Sequence, residues 1–321
     1  MGIPRFVIVS TAVALGFLVG LSHSPAAPAQ VREAQVPLIR VHTDLVVLHV
    51  AVLDNKSRFA PGLPEDRFKV SEDGVPQAIR LFSNEDRPAA IGLVIDNSGS
   101  MHNKRADVIL AALAFARASN PLDEYFVVHF NERVWMGLPD GMPFASDPGM
   151  LTKALAQATA RGRTALYDAV DRGLDHLRQA QNPHRVLVVV SDGGDNASAI
   201  GLQQLLQRVQ QTDVVIYTIG LFDEYARDRN PRVLKELAAA TGGEAFLPGG
   251  IDGAAAILQR IARDIRSIYL IGYESTNTTR DGKYRQVRVN LQSAGGEKLK
   301  VRARAGYVAP SNAVQIEGVG R

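Results

Sequence analysis

The chain contains no cysteine, which excludes disulfides and any lipidated cysteine anchor. An exported protein without disulfides is more typical of bacteria than of the animal extracellular space, since oxidising compartments permit such bonds without requiring them. Charge is nearly balanced. The 36 Lys and Arg against 33 Asp and Glu leave a formal net charge of +3, too small to argue for nucleic acid. The seven histidines show no His-x-x-x-His spacing, so no zinc site is expected. There is no Gly-x-x-x-x-Gly-Lys-Ser/Thr phosphate loop and no internal repeat. The longest apolar run, Phe6 to Leu21, is shorter than the ~20 residues that a spanning helix usually needs.

What the chain does have is a globular composition. Hydrophobic residues make up 46% and charged residues 21% of 321 positions, enough for one or two domains with proper cores. Met1 to Arg5 carries one positive charge ahead of the apolar run. Ala27-Pro28-Ala29 then fits a small-x-small cleavage pattern. Residues 1–29 therefore read as a cleaved secretory signal. An uncleaved anchor is the alternative and the only route to a membrane. The expected location is periplasmic or secreted, or tethered to the envelope.

Residues 30–87 read as a linker (Gln30 to Val36) followed by β structure. Val46-Val-Leu-His-Val-Ala-Val-Leu is apolar and β-branched, Phe68-Lys-Val-Ser alternates, and Asp73-Gly74 is a hairpin signal before Gln77-Ala-Ile-Arg-Leu-Phe. Residues 88–272 change texture. Apolar strands are expected at 91–95, 125–130, 186–190, 214–219 and 245–247, with a hairpin strand at 133–138. Helices are expected near 104–119, 148–159, 164–181, 202–210, 231–240 and 253–265. Near-continuous apolar strands separated by helices predict an α/β fold, a doubly wound and mostly parallel sheet with helices on both faces. Residues 273–310 revert to β, and 311–321 form a tail. Each β flank is short for independent folding, so one small β module built from both flanks is predicted.

Chemistry concentrates at the end of the first parallel strand. Ile91-Gly-Leu-Val-Ile-Asp96-Asn97-Ser98-Gly99-Ser100 presents one carboxylate and two hydroxyls on alternate residues. These are hard oxygen donors of the kind Mg²⁺, Mn²⁺ or Ca²⁺ prefers, and Gly99 is expected to let the loop turn. Ligands of such sheets collect at the carboxyl ends of the strands. Two further donors fit that edge: Thr164 at a helix start, and Asp192 directly after the strand Val186 to Val190. Two carboxylates ~4 Å apart repel by ~4 kcal/mol at an effective dielectric of about 20, a cost that a divalent cation removes. The plain alternative is a helix N-cap loop, since Ser and Asp favour such positions.

Asp96-x-Ser98-x-Ser100, Thr164 in Gly-Arg-Thr-Ala-Leu-Tyr-Asp and Asp192 in Ser-Asp-Gly closely resemble the von Willebrand factor type A domain and its metal-ion-dependent adhesion site. The resemblance spans about Pro88 to Tyr273. It implies that Ser98, Ser100 and, in some members, Thr164 bind the metal directly. Asp96 and Asp192 are then expected to hold it mainly through water. Asn97 and Gly99 stand at variable positions of the motif. With Arg163, Gly193 and Asp195 they are expected behind the ligands or against a partner. The flanks, with Phe68-Lys-Val-Ser-Glu-Asp-Gly-Val-Pro-Gln and Tyr269-Leu-Ile-Gly-Tyr, look like a bacterial exported von Willebrand factor type A-related family common in acidobacterial genomes.

The expected function is a non-enzymatic module for binding protein, in which the cation accepts an Asp or Glu carboxylate from a partner. An envelope scaffold with a structural metal is one alternative. A Mg²⁺-dependent hydrolase is another, but its equipment is missing. Ser98 lies in no Gly-x-Ser-x-Gly elbow, because Asp96 and Ser100 stand where the glycines should be. His102 is the one base in sight and reads as incidental.

Overall fold

Alternation and turn chemistry shape the N-terminal flank. The computed structural model describes residues 45–222, 229–248, 253–292, 296 and 298–311. The expected signal peptide, linker and most of the tail lie outside the described residues. β1 (Leu45–Leu53) is the apolar run. β2 (Phe68–Glu72) alternates buried and exposed residues. It turns through Asp73 and Gly74, both with positive φ (48° and 84°), into β3 (Val75–Gln77). That is the two-residue hairpin geometry matching strand twist, in which glycine carries no steric cost.

The strand expected from Gln77 to Phe82 divides at Ala78. Its second part, β4 (Ile79–Ser83), joins a different sheet. Gln77 fixes the crossover: its side chain is buried, donates to the Thr276 hydroxyl (3.0 Å) and accepts from the Thr276 N–H (3.1 Å). Periodicity along one chain segment carries no signal of such a change of sheet.

The α/β portion starts with β5 (Ala89–Asp96), buried throughout. A 3-10 turn over Gly99–Lys104 leads into α1 (Arg105–Ala118). β6 (Glu124–Phe130) and the short antiparallel β7 (Val134–Met136) follow. α2 (Pro148–Ala156) begins under Asp147, whose carboxylate accepts the Met150 N–H (2.8 Å) with Pro148 opening the first turn. Then come α3 (Leu166–Leu177), β8 (His184–Ser191), α4 (Leu202–Gln210), β9 (Val215–Gly220), α5 (Pro231–Thr241), β10 (Ala245–Phe246) and α6 (Ala254–Arg266). The six-stranded sheet runs β10-β9-β8-β5-β6-β7 and is parallel except at β7. α1 packs with α2 and α6, while α3, α4 and α5 pack in series, giving two helical layers. The order reverses between β5 and β8, so their carboxyl ends open the crevice where such sheets bind ligands.

The flanks interleave. β11 (Tyr269–Glu274), β12 (Tyr284–Leu291), β13 (Lys300–Arg302) and β14 (Gly306–Val308) complete two antiparallel sheets, β13-β1-β11-β4 and β14-β12-β2-β3. Each sheet takes two strands from either flank. Their shared core holds Leu48, Val50, Phe68, Val70, Tyr269 and Ile271. β11 belongs to a flank sheet, so the α/β portion ends with α6, short of the expected limit at 272. Several contacts bind the flanks to the α/β portion, among them Arg304 of the C-terminal flank, which donates to Thr212 O (2.8 Å) and Gln210 O (2.9 Å). Arg302 pairs with Glu244 and the buried Asp264 of α6, and the rings of His49 and His184 stack 4.9 Å apart. Thr43–Arg321 forms one compact unit. No helix among the described residues is long and apolar enough to cross a membrane.

Candidate metal centre

β5 and β8 run side by side with Ile95 opposite Val190, which puts Asp96 beside Ser191 at the sheet edge. The Ser191 hydroxyl donates to Asp96 Oδ2 (2.6 Å), and the Ser98 N–H donates to Asp96 Oδ1 (2.8 Å). Ser98 Oγ lies 3.2 Å from Ser100 Oγ, and the Ser100 hydroxyl donates to Asp192 Oδ2 (2.7 Å). The Gly194 N–H donates to Asp192 Oδ1 (3.0 Å). Asp96, Ser98, Ser100 and Asp192 thus form a continuous chain of contacts across the crevice. Asp96, Ser98 and Asp192 are buried and Ser100 is half-buried.

Thr164 is buried at the same edge, and its loop is laced to both others. The Gly99 N–H donates to Gly162 O (3.2 Å), and the Arg161 N–H donates to Asn97 O (2.8 Å). The Thr164 N–H donates to Asn196 Oδ1 (2.9 Å). Because Thr164 and Ala165 serve these loop contacts, α3 starts at Leu166 instead of at 164.

Burial pushes the Asp96 carboxyl up to about 6; the Ser191 and Ser98 hydrogen bonds oppose this and the Asp192 charge adds to it. Holding Asp96 ionised therefore costs about 3 kcal/mol. Neither carboxylate forms an ion pair among the described residues. Lys104 and Arg105, which follow the loop, direct their charges elsewhere: Lys104 Nζ donates to Leu221 O (3.0 Å), and Arg105 donates to Asn97 Oδ1 (3.1 Å) and Leu155 O (2.9 Å). No three His, Asp or Glu side chains gather as a metal cluster among the described residues. Among the described residues two carboxylates meet here, without an ion-pair partner, and hydroxyls supply the other donors. Two such carboxylates with hydroxyls between them fit a small hard cation.

The residues expected behind the ligands fall into distinct roles. Gly193 has φ +80°, and a Cβ there would stand 2.3 Å from Asn230 O, so only glycine fits. Gly99 differs from expectation. It needs no special backbone conformation, since an added Cβ would meet only Gly162 O at 3.7 Å. The loop turns by entering a 3-10 helix at that residue. Asp195 Oδ2 accepts the Tyr167 N–H (3.0 Å) at the start of α3. Arg163 is exposed, and its N–H donates to Glu132 (3.2 Å). His102 is exposed.

Asn97 is fully buried and clamped. Its Nδ2 donates to Ile95 O (2.9 Å) and lies 3.1 Å from His129 Nδ1, and its Oδ1 accepts from Arg105 Nε. His129 Nε2 lies 2.8 Å from Ala154 O. Sequence reading missed Ser191, Arg105 and His129. Each carries a faint signal: a serine ending an apolar strand, a basic residue opening a helix, and a lone histidine inside Tyr-Phe-Val-Val-His-Phe.

Residues 91–194, which include all five candidate ligands, match the family model of the von Willebrand factor type A domain. The chain carries a von Willebrand factor type A domain. A solved von Willebrand factor type A protein from Catenulispora acidiphila shares the fold, with a TM-score of 0.51 at 14% identity over 85% of this chain and 76% of that one. The von Willebrand factor domain of a type V pilus tip protein from Porphyromonas gingivalis aligns over 56% of this chain and 95% of its own, at 14% identity and a TM-score of 0.46. Proximal thread matrix protein 1 from the mussel byssus aligns over 61% and 51%, at 17% identity and a TM-score of 0.47. The matched range takes in the carboxyl ends of β5 and β8, where these oxygens meet.

Proposed function

We propose that this von Willebrand factor type A domain is a protein-binding module. In this reading Asp96, Ser98, Ser100, Thr164 and Asp192 hold a divalent cation, Mg²⁺ or else Mn²⁺ or Ca²⁺, and the cation takes an Asp or Glu carboxylate from a partner protein. One observation carries the reading: the Ser100 hydroxyl sits on Asp192 while Asp96 lies buried beside them, and among the described residues no cationic side chain pairs with either carboxylate. The cation supplies an open position at which a carboxylate replaces water. Domains of this type are generally interaction modules, which supports a non-enzymatic role. The loops are tied by backbone bonds that need no metal, including Gly99 to Gly162 and Asn196 to Thr164. That favours a binding role over a purely structural metal. The expected setting is outside the cytoplasm, through the signal-like residues 1–29.

The test is titration of the chelator-treated protein with Mg²⁺ and Mn²⁺ by calorimetry, for wild type, Asp192→Ala and Ser100→Ala, with pull-down from envelope extract in the presence and absence of chelator. Binding in the wild type, its loss in both variants and retained folding after chelation are expected. Metal binding unaltered by both substitutions would overturn the ligand assignment, and unfolding on chelation would restore the structural-metal reading.

A further inference from the structure

We infer that His129 and Arg105 are positioning residues that set the metal-binding loop through Asn97; the inference rests on the metal-site reading above. Asn97 stands between Asp96 and Ser98, so its side-chain orientation decides which way its neighbours face. Every polar atom of this buried residue is engaged. Its N–H donates to Phe130 O (2.7 Å), and its carbonyl accepts from the Arg161 N–H (2.8 Å). Its amide meets Ile95 O, His129 Nδ1 and Arg105 Nε.

The direction of each bond is fixed by chemistry. A carbonyl can only accept, so His129 Nε2 carries the proton that goes to Ala154 O (2.8 Å). Nδ1 faces the amide nitrogen of Asn97, which can only donate, so Nδ1 is the acceptor of its second hydrogen. Arg105 can only donate, so it faces the amide oxygen. The three partners admit one amide orientation, and the reverse would set N–H against guanidinium and oxygen against two acceptors. Trp135, stacked 5.5 Å from the His129 ring, holds that ring from the edge strand. First contacts of a metal must be held to within about 0.5 Å by residues that are themselves locked, and removing such supports typically costs ~10–100-fold in metal affinity.

Two substitutions separate the roles of the two ring nitrogens. Asn at 129 places an oxygen near the Nδ1 position and keeps the acceptor for Asn97. Gln reaches the Nε2 position and keeps the donor to Ala154. The experiment is Mn²⁺ titration of the full chain, read by the resonance of free Mn²⁺, with urea unfolding of each variant alongside. His129→Asn is expected to hold Mn²⁺ within ~3-fold of wild type. His129→Gln and Arg105→Met are expected to weaken it by ~10-fold or more, although the two His129 variants lose similar stability. Equal affinity in His129→Asn and His129→Gln, whether high or low, overturns the inference. Should His129→Gln fail to fold, Arg105→Met decides, and wild-type affinity in that variant overturns it. If the wild type itself does not bind Mn²⁺, the metal-site reading falls and takes this one with it.

Discussion

The stacked histidines at the junction of flank and α/β portion should make the protein acid-sensitive by a calculable amount. His49 on β1 is buried, its Nε2 has no hydrogen-bond partner among the described residues, and burial, aided by the Arg304 charge, lowers it to about 4. In the unfolded chain the same ring titrates near its ordinary value of about 6.5. A base held below its unfolded value contributes stability that is full above ~6.5 and drains as the pH falls toward about 4. Between pH ~7 and pH ~5 the loss from His49 alone is about 2 kcal/mol.

The wild-type slope cannot isolate this contribution. His184 and His129 are also lowered by burial, while Asp96 and Asp123, raised to about 6 by burial, act in the opposite sense. The perturbation is therefore His49→Phe, which keeps an aromatic ring against His184 and removes the titrating group. Urea unfolding of both proteins is measured at pH ~7 and pH ~5. Packing changes are common to the two conditions and cancel in the double difference. Wild type should lose about 2 kcal/mol more than the variant over that interval. Parallel losses, within ~0.5 kcal/mol, would refute the reasoning.

Two further outcomes are expected. Arg302→Met strands the buried Asp264 without its cation, while Glu244 keeps Arg260 (2.9 Å), and should cost ~3–5 kcal/mol in urea unfolding; Asp264→Leu in the same chain should recover part of it. Gly193→Ala should cost ~1–3 kcal/mol, because φ +80° and the Asn230 carbonyl oppose a side chain, whereas Gly99→Ala should change the unfolding free energy by less than about 0.5 kcal/mol.

Much of the architecture was legible because it is periodic or punctuated. The apolar runs ending at Asp96 and Ser191 gave away buried parallel strands, and α4 lies at Leu202–Gln210, the span read from its pattern. The alternate oxygens after β5 and the carboxylate after β8 could be put at one edge because strand polarity fixes where strands end. What stayed hidden depends on contacts between distant segments. Nothing local reveals that Ala78 parts two sheets. Asn97 looked like a variable spacer, yet its amide meets Arg105 and His129 from two other elements. Gly99 looked like a conformational requirement, and the backbone there is ordinary.

The pairing of β4 with β11 sets Ser83 against Leu270, so the chain leaves for the α/β portion and comes back at neighbouring points. Further out, β1 pairs with β13 through Val52 and Val301. Tension applied across Leu45 and Ser311 is therefore short-circuited through these antiparallel ladders before it can reach the six-stranded sheet. The carboxylate crevice sits on a bypassed loop of the mechanical path, and its shape persists under pull until the flank strands shear apart.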